Sequence, residues 1–222
     1  MAQRKPLAGA FLTFEGIDGC GKTTQSERLV KALQARGVPV HATREPGGTE
    51  IGMALRRILL DPAHGDMEPH TELLLYLADR IQHLATDIQP ARQRGETVIC
   101  DRFHDATVAY QQYGRGLDFG PLERFIAQSI TPLMPVTTFW LDVTLETARA
   151  RMDQRAGGGQ TQQLSQESRL DDENAAFHDR VRKGYLALHR EAPERIVRID
   201  AEQTPDQIAR EIWTQLEKRH EL

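Results

Sequence analysis

An α/β fold, a mostly parallel sheet with helices on both faces, is predicted by two observations. Short apolar strands alternate with helix-length segments along the whole chain, and a glycine-rich loop stands between the first strand and the first helix. In such folds right-handed crossovers gather the C-terminal ends of the strands on one edge, where ligands bind.

Taken in order, Met1 to Gly9 is expected to fray, and Ala10 to Glu15 reads as the first strand. A helix from about Thr23 to Arg36 follows, with Leu29, Val30 and Leu33 on its buried side and Gly37 as its stop. Val38 to Thr43 is a second strand, leading into the turn-rich Arg44-Glu45-Pro46-Gly47-Gly48-Thr49 and a helix over about Glu50 to Leu60. A long helix, about Thr71 to Arg92 with a bend near Pro90, is broken at Gly95 before the strand Thr97 to Cys100. Helical stretches near Ala106 to Gln112 and Pro121 to Ser129 precede the strand Thr137 to Asp142 and a helix near Leu145 to Gln154. The remainder reads as helix, strand, helix: Asp172 to Arg190, Arg195 to Ile199 and Pro205 to Arg219.

A length of 222 residues favours one domain, 1–222, with a substantial core. The net charge of −4 weighs against a nucleic-acid binder that works through a global basic surface, so small-molecule partners are expected. No charged-then-apolar leader is evident, and the longest apolar run, Leu73 to Ala78, is far short of the roughly 18 residues a membrane span needs. A cytoplasmic protein without a membrane partner is therefore expected. Two cysteines imply no disulfide framework, and no Cys/His cluster has zinc-like spacing. Ala156 to Gln166, rich in Gly, Gln and Ser, reads as a mobile loop.

The loop itself is Gly16-Ile17-Asp18-Gly19-Cys20-Gly21-Lys22-Thr23. Its spacing is that of a phosphate-binding loop, in which successive backbone N–H groups and the positive end of the following helix surround a polyphosphate, and glycines let the backbone come close. Lys22 would reach the β- and γ-phosphates, and the Thr23 hydroxyl would complete the coordination of Mg2+, so the loop implies Mg-ATP or a similar nucleotide.

Arg44-Glu45-Pro46-Gly47-Gly48-Thr49, Asp101-Arg102 and Ala109-Tyr110-Gln111 stand at strand ends or just after them. With the loop, they make the chain resemble the thymidylate kinase family from about Phe11 to Trp213. The resemblance implies a P-loop NTPase fold with a five-stranded parallel sheet, a mobile lid at about 150–172, a homodimer, and ATP-dependent conversion of dTMP to dTDP on the way to dTTP. It resembles the bacterial type that carries its catalytic arginine in the lid, since the phosphate loop has no arginine.

The reaction explains why such residues are needed. Two polyanions must be brought within bonding distance, which calls for several cations and in-line alignment. A phosphate monoester is largely dianionic at pH 7 and already nucleophilic, so no general base is required. Arg102, directly after a strand, can grip a phosphate bidentately, and the resemblance gives it the acceptor phosphate. Arg44 is a second phosphate candidate, a surface salt bridge being the alternative for both. Asp101 looks like the carboxylate that holds magnesium through a water or meets Lys22, or else caps a helix. Asp18 is placed by the resemblance at the acceptor 3′-hydroxyl and the magnesium shell.

Tyr76 and Arg80, four apart on one helical face, offer a ring and a guanidinium to pack against a pyrimidine; the alternative is a core tyrosine and an arginine paired with Asp79 or another acid. The resemblance sets Thr107 at the thymine edge and Tyr110 on the sugar 2′ side, with Gln111 assisting. Of the lid arginines, Arg169 matches the catalytic one best and Arg155 comes second, while Arg149 and Arg151 read as a solvated helix face. Ala106 stands where many relatives carry serine. Cys20, at a helix N-terminus, could have a lowered pKa, although inert packing is the simpler reading for it and for Cys100. A kinase for another nucleoside monophosphate would share the phosphate machinery and differ in base contacts. A GTPase-type switch would need an Asn-Lys-x-Asp signature, which the chain's single asparagine, Asn174, does not provide.

Overall fold

The computed structural model describes residues 5–157, 170 and 173–221. Strands β2 (Phe11–Glu15), β3 (Val40–Arg44), β4 (Thr97–Asp101), β5 (Thr137–Asp142) and β6 (Ile196–Asp200) form one sheet in the order β3-β4-β2-β5-β6, with each neighbouring pair parallel. Asp101 is in register with both Arg44 and Phe14, so the loops after β2, β3 and β4 leave the sheet side by side. That edge is where the phosphate loop, the Arg44 turn and Arg102 converge.

Period-two alternation sorts the strand side chains into two cores. Leu12, Phe14 and Ile99 join a cluster with Leu29 and Leu33 of α1 (Lys22–Gln34) and Ile208, Ile212 and Leu216 of α9 (Pro205–Arg219). Phe11, Val98 and Cys100 join Leu73, Leu77, Ile88 and Phe103 on the other side. Each fully buried aliphatic side chain contributes about 1.5–3 kcal/mol relative to exposure, so the i, i+4, i+8 stripe of α9 suffices to dock that helix. Its start is fixed by a capping box between Thr204 and Gln207.

Several boundaries differ from the sequence expectation for identifiable reasons. Residues 5–9 are anchored: β1 (Lys5–Pro6) pairs with β7 (His220–Glu221), Leu7 is buried, and its carbonyl accepts the Thr97 hydroxyl. The helix expected from Asp172 starts later, as α8 (Ala175–Glu191), because the Asn174 side chain accepts the Phe177 N–H as an N-cap. The long helix is continuous from α3 (Pro69–His83) to α4 (Gln89–Gln93) through a widened π-type turn, Leu84–Ile88. That turn falls just before Pro90, which lacks an N–H and crowds the carbonyl four residues earlier. A second widened turn, Val108–Gly114, continues α5 (His104–Thr107), with the Arg115 N–H reaching the Tyr110 carbonyl. Helices α2 (Glu50–Leu60), α6 (Glu123–Ser129) and α7 (Leu145–Gly157) are the other α-helices among the described residues. Among the described residues no helix is long and apolar enough to cross a membrane.

Candidate active site

The phosphate loop is held from two sides. Gly19 has φ +81°, and a Cβ there would lie 2.3 Å from the Ala148 carbonyl oxygen of α7; at Gly16 a Cβ would lie 2.6 Å from the Leu141 carbonyl oxygen. Only glycine lets α7 and the end of β5 close on the loop this tightly. Ile17, Cys20 and Gly21 complete the curve, Gly21 as the left-handed residue before α1. The first turn of α1 carries no acidic residue, so its positive end is uncompensated toward an anion. Lys22 is buried and donates to the Gly16 and Ile17 carbonyls, both at 3.0 Å, with Asp18 Oδ1 3.6 Å away.

The Thr23 hydroxyl donates to Asp101 Oδ2 at 2.8 Å. A hydroxyl and a carboxylate side by side at the head of α1 are hard oxygen donors of the kind Mg2+ takes, so these residues fit that ion. Asp101 therefore meets Thr23, where the sequence left Lys22 or a helix cap as alternatives.

Arg102 has φ +71°, a left-handed backbone at a non-glycine residue. Neighbouring groups hold it there: its N–H donates to the Phe14 carbonyl, and the next N–H, of Phe103, donates to Glu15 Oε1 at 2.7 Å. The guanidinium meets Asp18 Oδ1 at 2.7 Å, the Tyr110 hydroxyl at 3.2 Å and the Tyr185 hydroxyl at 3.5 Å. Burial pushes the Asp18 carboxyl up, but Arg102 and Lys22 outweigh it and hold that group well below the usual carboxylate range. Glu15 is fully buried, and burial with nearby Asp105 pushes its pKa up to about 8. Its Oε2 accepts the Tyr185 hydroxyl at 2.8 Å, so α8 is tied through one tyrosine to both Glu15 and Arg102.

On the α3 side, Arg80 is buried and does not offer an open stacking face. Its Nε donates to Glu45 Oε2 at 2.8 Å and its Nη1 to the Thr107 hydroxyl at 2.8 Å, over the Phe103 ring. Its acidic partner is Glu45 rather than the adjacent Asp79, which accepts the Gly47 N–H instead. Tyr76 is half-buried on the same helix. Tyr110 is buried beneath Arg102, whose guanidinium lies 5.0 Å from its ring. Gln111 is buried and its amide donates to Glu72 at 2.7 Å. Arg115 bridges that same Glu72 to Glu173 at the start of the α8 segment. Arg44 is exposed at the end of β3.

The structure therefore brings together Lys22, Thr23, Asp18, Asp101, Arg102 and Tyr110, with Arg80 and Thr107 joined beside them. Arg169 lies outside the described residues, as does the side chain of Arg155. The suggestion that Cys20 has a lowered pKa is corrected: its thiol is buried, and desolvation pushes it up despite Lys22 and Arg102 nearby. Sequence reasoning missed Glu15, Glu45, His83 and Tyr185. For Glu15 and Glu45 a signal existed, an acid ending an apolar strand or inside a turn motif. For Tyr185, distant on α8, none did.

The thymidylate kinase family model matches residues 14–212. A thymidylate kinase of Syntrophotalea carbinolica is 43% identical over 205 residues, covering 91% of this chain and 93% of that protein. One of Citrifermentans bemidjiense is 46% identical over 196 residues, covering 86% and 84%. The crystal structure of thymidylate kinase from Ehrlichia chaffeensis superposes with a TM-score of 0.73 at 30% identity, covering 95% of this chain and 99% of that one.

Proposed function

The chain belongs to the thymidylate kinase family, and from that premise we propose how its own residues divide the work. The enzyme transfers the γ-phosphoryl group of ATP to dTMP, giving dTDP and ADP in dTTP biosynthesis. We assign the polyphosphate of ATP to the loop from Gly16 to Thr23, with Lys22 on the transferring group. Thr23 and Asp101 hold Mg2+, which, when bound, neutralises charge on the phosphates. Arg102 takes the acceptor phosphate, and Asp18 orients Arg102 and meets the acceptor 3′-hydroxyl. Tyr110 crowds the sugar 2′ side, Arg80 and Thr107 face the base with Tyr76 and Gln111 beside them, and Arg44 adds charge at the rim. A lid arginine, Arg169 or Arg155, completes the transition-state clamp.

The observation that carries this reading is the convergence of Lys22 and Arg102 on Asp18, at 3.6 and 2.7 Å. Two cations are thereby fixed around one point, where an in-line transfer between phosphates needs them. A single domain, 1–222, in the cytoplasm where ATP and dTMP meet, is the setting. The homodimer is supported by apolar residues exposed on adjacent helices: Ile51 and Ile58 on α2 and Leu74 on α3. The test is ADP release with Mg-ATP and each of dTMP, dUMP, dCMP, dGMP and UMP. A strong dTMP preference is expected; a preference for another monophosphate would leave Lys22 and Arg102 in place and overturn the base-facing assignments.

A further inference from the structure

Glu45 is 3% exposed and divides its carboxylate between two partners. Oε2 takes Nε and Nη2 of Arg80, each at 2.8 Å, and Oε1 takes Nδ1 of His83 at 2.9 Å. His83 lies one helical turn beyond Arg80 on α3 and is fully buried. Its Nε2 lies 3.1 Å from Asp87 Oδ2 and 2.7 Å from the Thr43 hydroxyl oxygen. With Nδ1–H donating to Glu45, a neutral imidazole accepts the Thr43 hydroxyl at Nε2, and a doubly protonated ring donates to Glu45 and Asp87 together; in both forms Nδ1–H holds Glu45. Burial disfavours that cation, yet Glu45, Asp87 and Asp79 together push His83 upward from its ordinary value. The ring has no room to swing: a Cβ on Gly48 would sit 2.2 Å from Nε2.

The arrangement fixes Glu45 at both oxygens, and through Glu45 it fixes the plane of the Arg80 guanidinium. Arg80 passes the constraint to Thr107, whose hydroxyl accepts Nη1 at 2.8 Å. We propose that His83 is a positioning residue for base recognition, clamping Glu45 so that Arg80 and Thr107 keep one orientation toward the acceptor base. This rests on the reading that Arg80 and Thr107 face the base. A guanidinium only donates, so a fixed one favours the O4 acceptor of thymine and opposes the amino donor that cytosine carries at the same place. Loosening Arg80 would blunt that discrimination.

The test is steady-state kinetics with ATP and either dTMP or dCMP on His83→Gln, in wild-type and Arg80→Ala backgrounds. A flexible amide has one donor nitrogen where the ring has two on opposite sides, so it cannot hold Glu45 as the imidazole does; KM for dTMP should rise about tenfold and the dTMP-to-dCMP ratio of kcat/KM should fall about tenfold, with KM for ATP unchanged. In the Arg80→Ala background, His83→Gln should add nothing. A parallel rise in KM for ATP, or the same effect in both backgrounds, would reduce His83 to a packing role and overturn the proposal. If Arg80→Ala alone left the dTMP-to-dCMP ratio unchanged, the base-facing reading itself would fall, and the proposal with it. Should His83→Gln not fold, Asp87→Asn keeps the imidazole and its Glu45 contact while weakening its outer partner, together with the bond that Asp87 makes to His41, and the same selective change, smaller in size, is expected. A uniform loss for both nucleotides would overturn the proposal there too. Nitrogen-15 shifts of the His83 ring in the wild-type chain should report a protonated Nδ1; a lone-pair signal at Nδ1 would refute the clamp on Glu45.

Discussion

Asp18 Oδ1 and Arg102 Nη2 meet at 2.7 Å, joining the phosphate loop after β2 to the residue that follows β4. The pair holds a guanidinium at the mouth of the loop before any phosphate needs it, and Lys22 lies on the same carboxylate. Replacing Arg102 with alanine should lower kcat/KM for dTMP by at least about 2 kcal/mol, roughly thirtyfold, with the Mg-ATP KM little changed. Initial-rate kinetics would measure this, and near wild-type turnover would exclude the assigned role. Arg102→Lys should recover only part of the loss, because an ammonium cannot fork.

Glu15 predicts a pH dependence of stability. Its pKa is raised from 4.5 to about 8 in the folded chain, so above about pH 4.5 the unfolded chain releases a proton that the folded chain retains. Its contribution is fully present below that value, declines as pH rises toward 8, and is level beyond it. Glu15→Gln keeps an acceptor for the Phe103 N–H and an amide for Tyr185, without the titration. Thermal unfolding from pH 5 to 8 should show the variant gaining on wild type as pH rises; parallel curves would refute the shift.

Gly19→Ala should be among the most damaging single-methyl additions in the chain. The new methyl would meet the Ala148 carbonyl at 2.3 Å, on a residue already at φ +81°. A loss of about 2–3 kcal/mol in urea unfolding is expected, together with a raised KM for ATP as the loop moves off α7. Unchanged values in both assays would mean that α7 yields freely.

Thr23→Ala removes one of two oxygen groups 2.8 Å apart. The magnesium concentration for half-maximal rate should rise on the order of five- to tenfold, while KM for dTMP stays constant. Chelation of the metal should abolish turnover by wild type and variant alike. A magnesium curve superimposable on wild type would remove Thr23 from the metal site.

Ile58→Glu places a charge in the apolar face shared by α2 and α3. Light scattering should show wild type near twice the 25.1 kDa chain mass and the variant near that mass. A wild-type monomer would refute the homodimer.

Much of this was legible in the sequence because it is local. The run Gly16 to Thr23 has one geometry open to it after a strand, and strand alternation gave the parallel sheet. The ends of elements were less legible, since the Asn174 cap and the wide turn before Pro90 depend on single hydrogen bonds. Arg80 shows the deeper limit. Its helical face was evident from the spacing to Tyr76, but its capture by Glu45 is a contact between residues 35 apart in sequence, which periodicity does not encode. Glu15 is similar: an acid ending an apolar strand marks the position, but its partners Phe103 and Tyr185 lie 88 and 170 residues away in sequence.

The two widened turns, Leu84–Ile88 and Val108–Gly114, have a consequence for how the gene can change length. Each houses one residue more than an ordinary helical turn and takes it up with little net rotation, so the segments on either side keep the faces they would have in a regular helix. Deleting one residue from Leu84–Ile88 would restore regular winding and leave Arg80 and His83 facing Glu45, whereas the same deletion inside a regular helix such as α8 would rotate one part against the other by about 100°. A mutational library should therefore accept single-codon deletions in that stretch that α8 rejects.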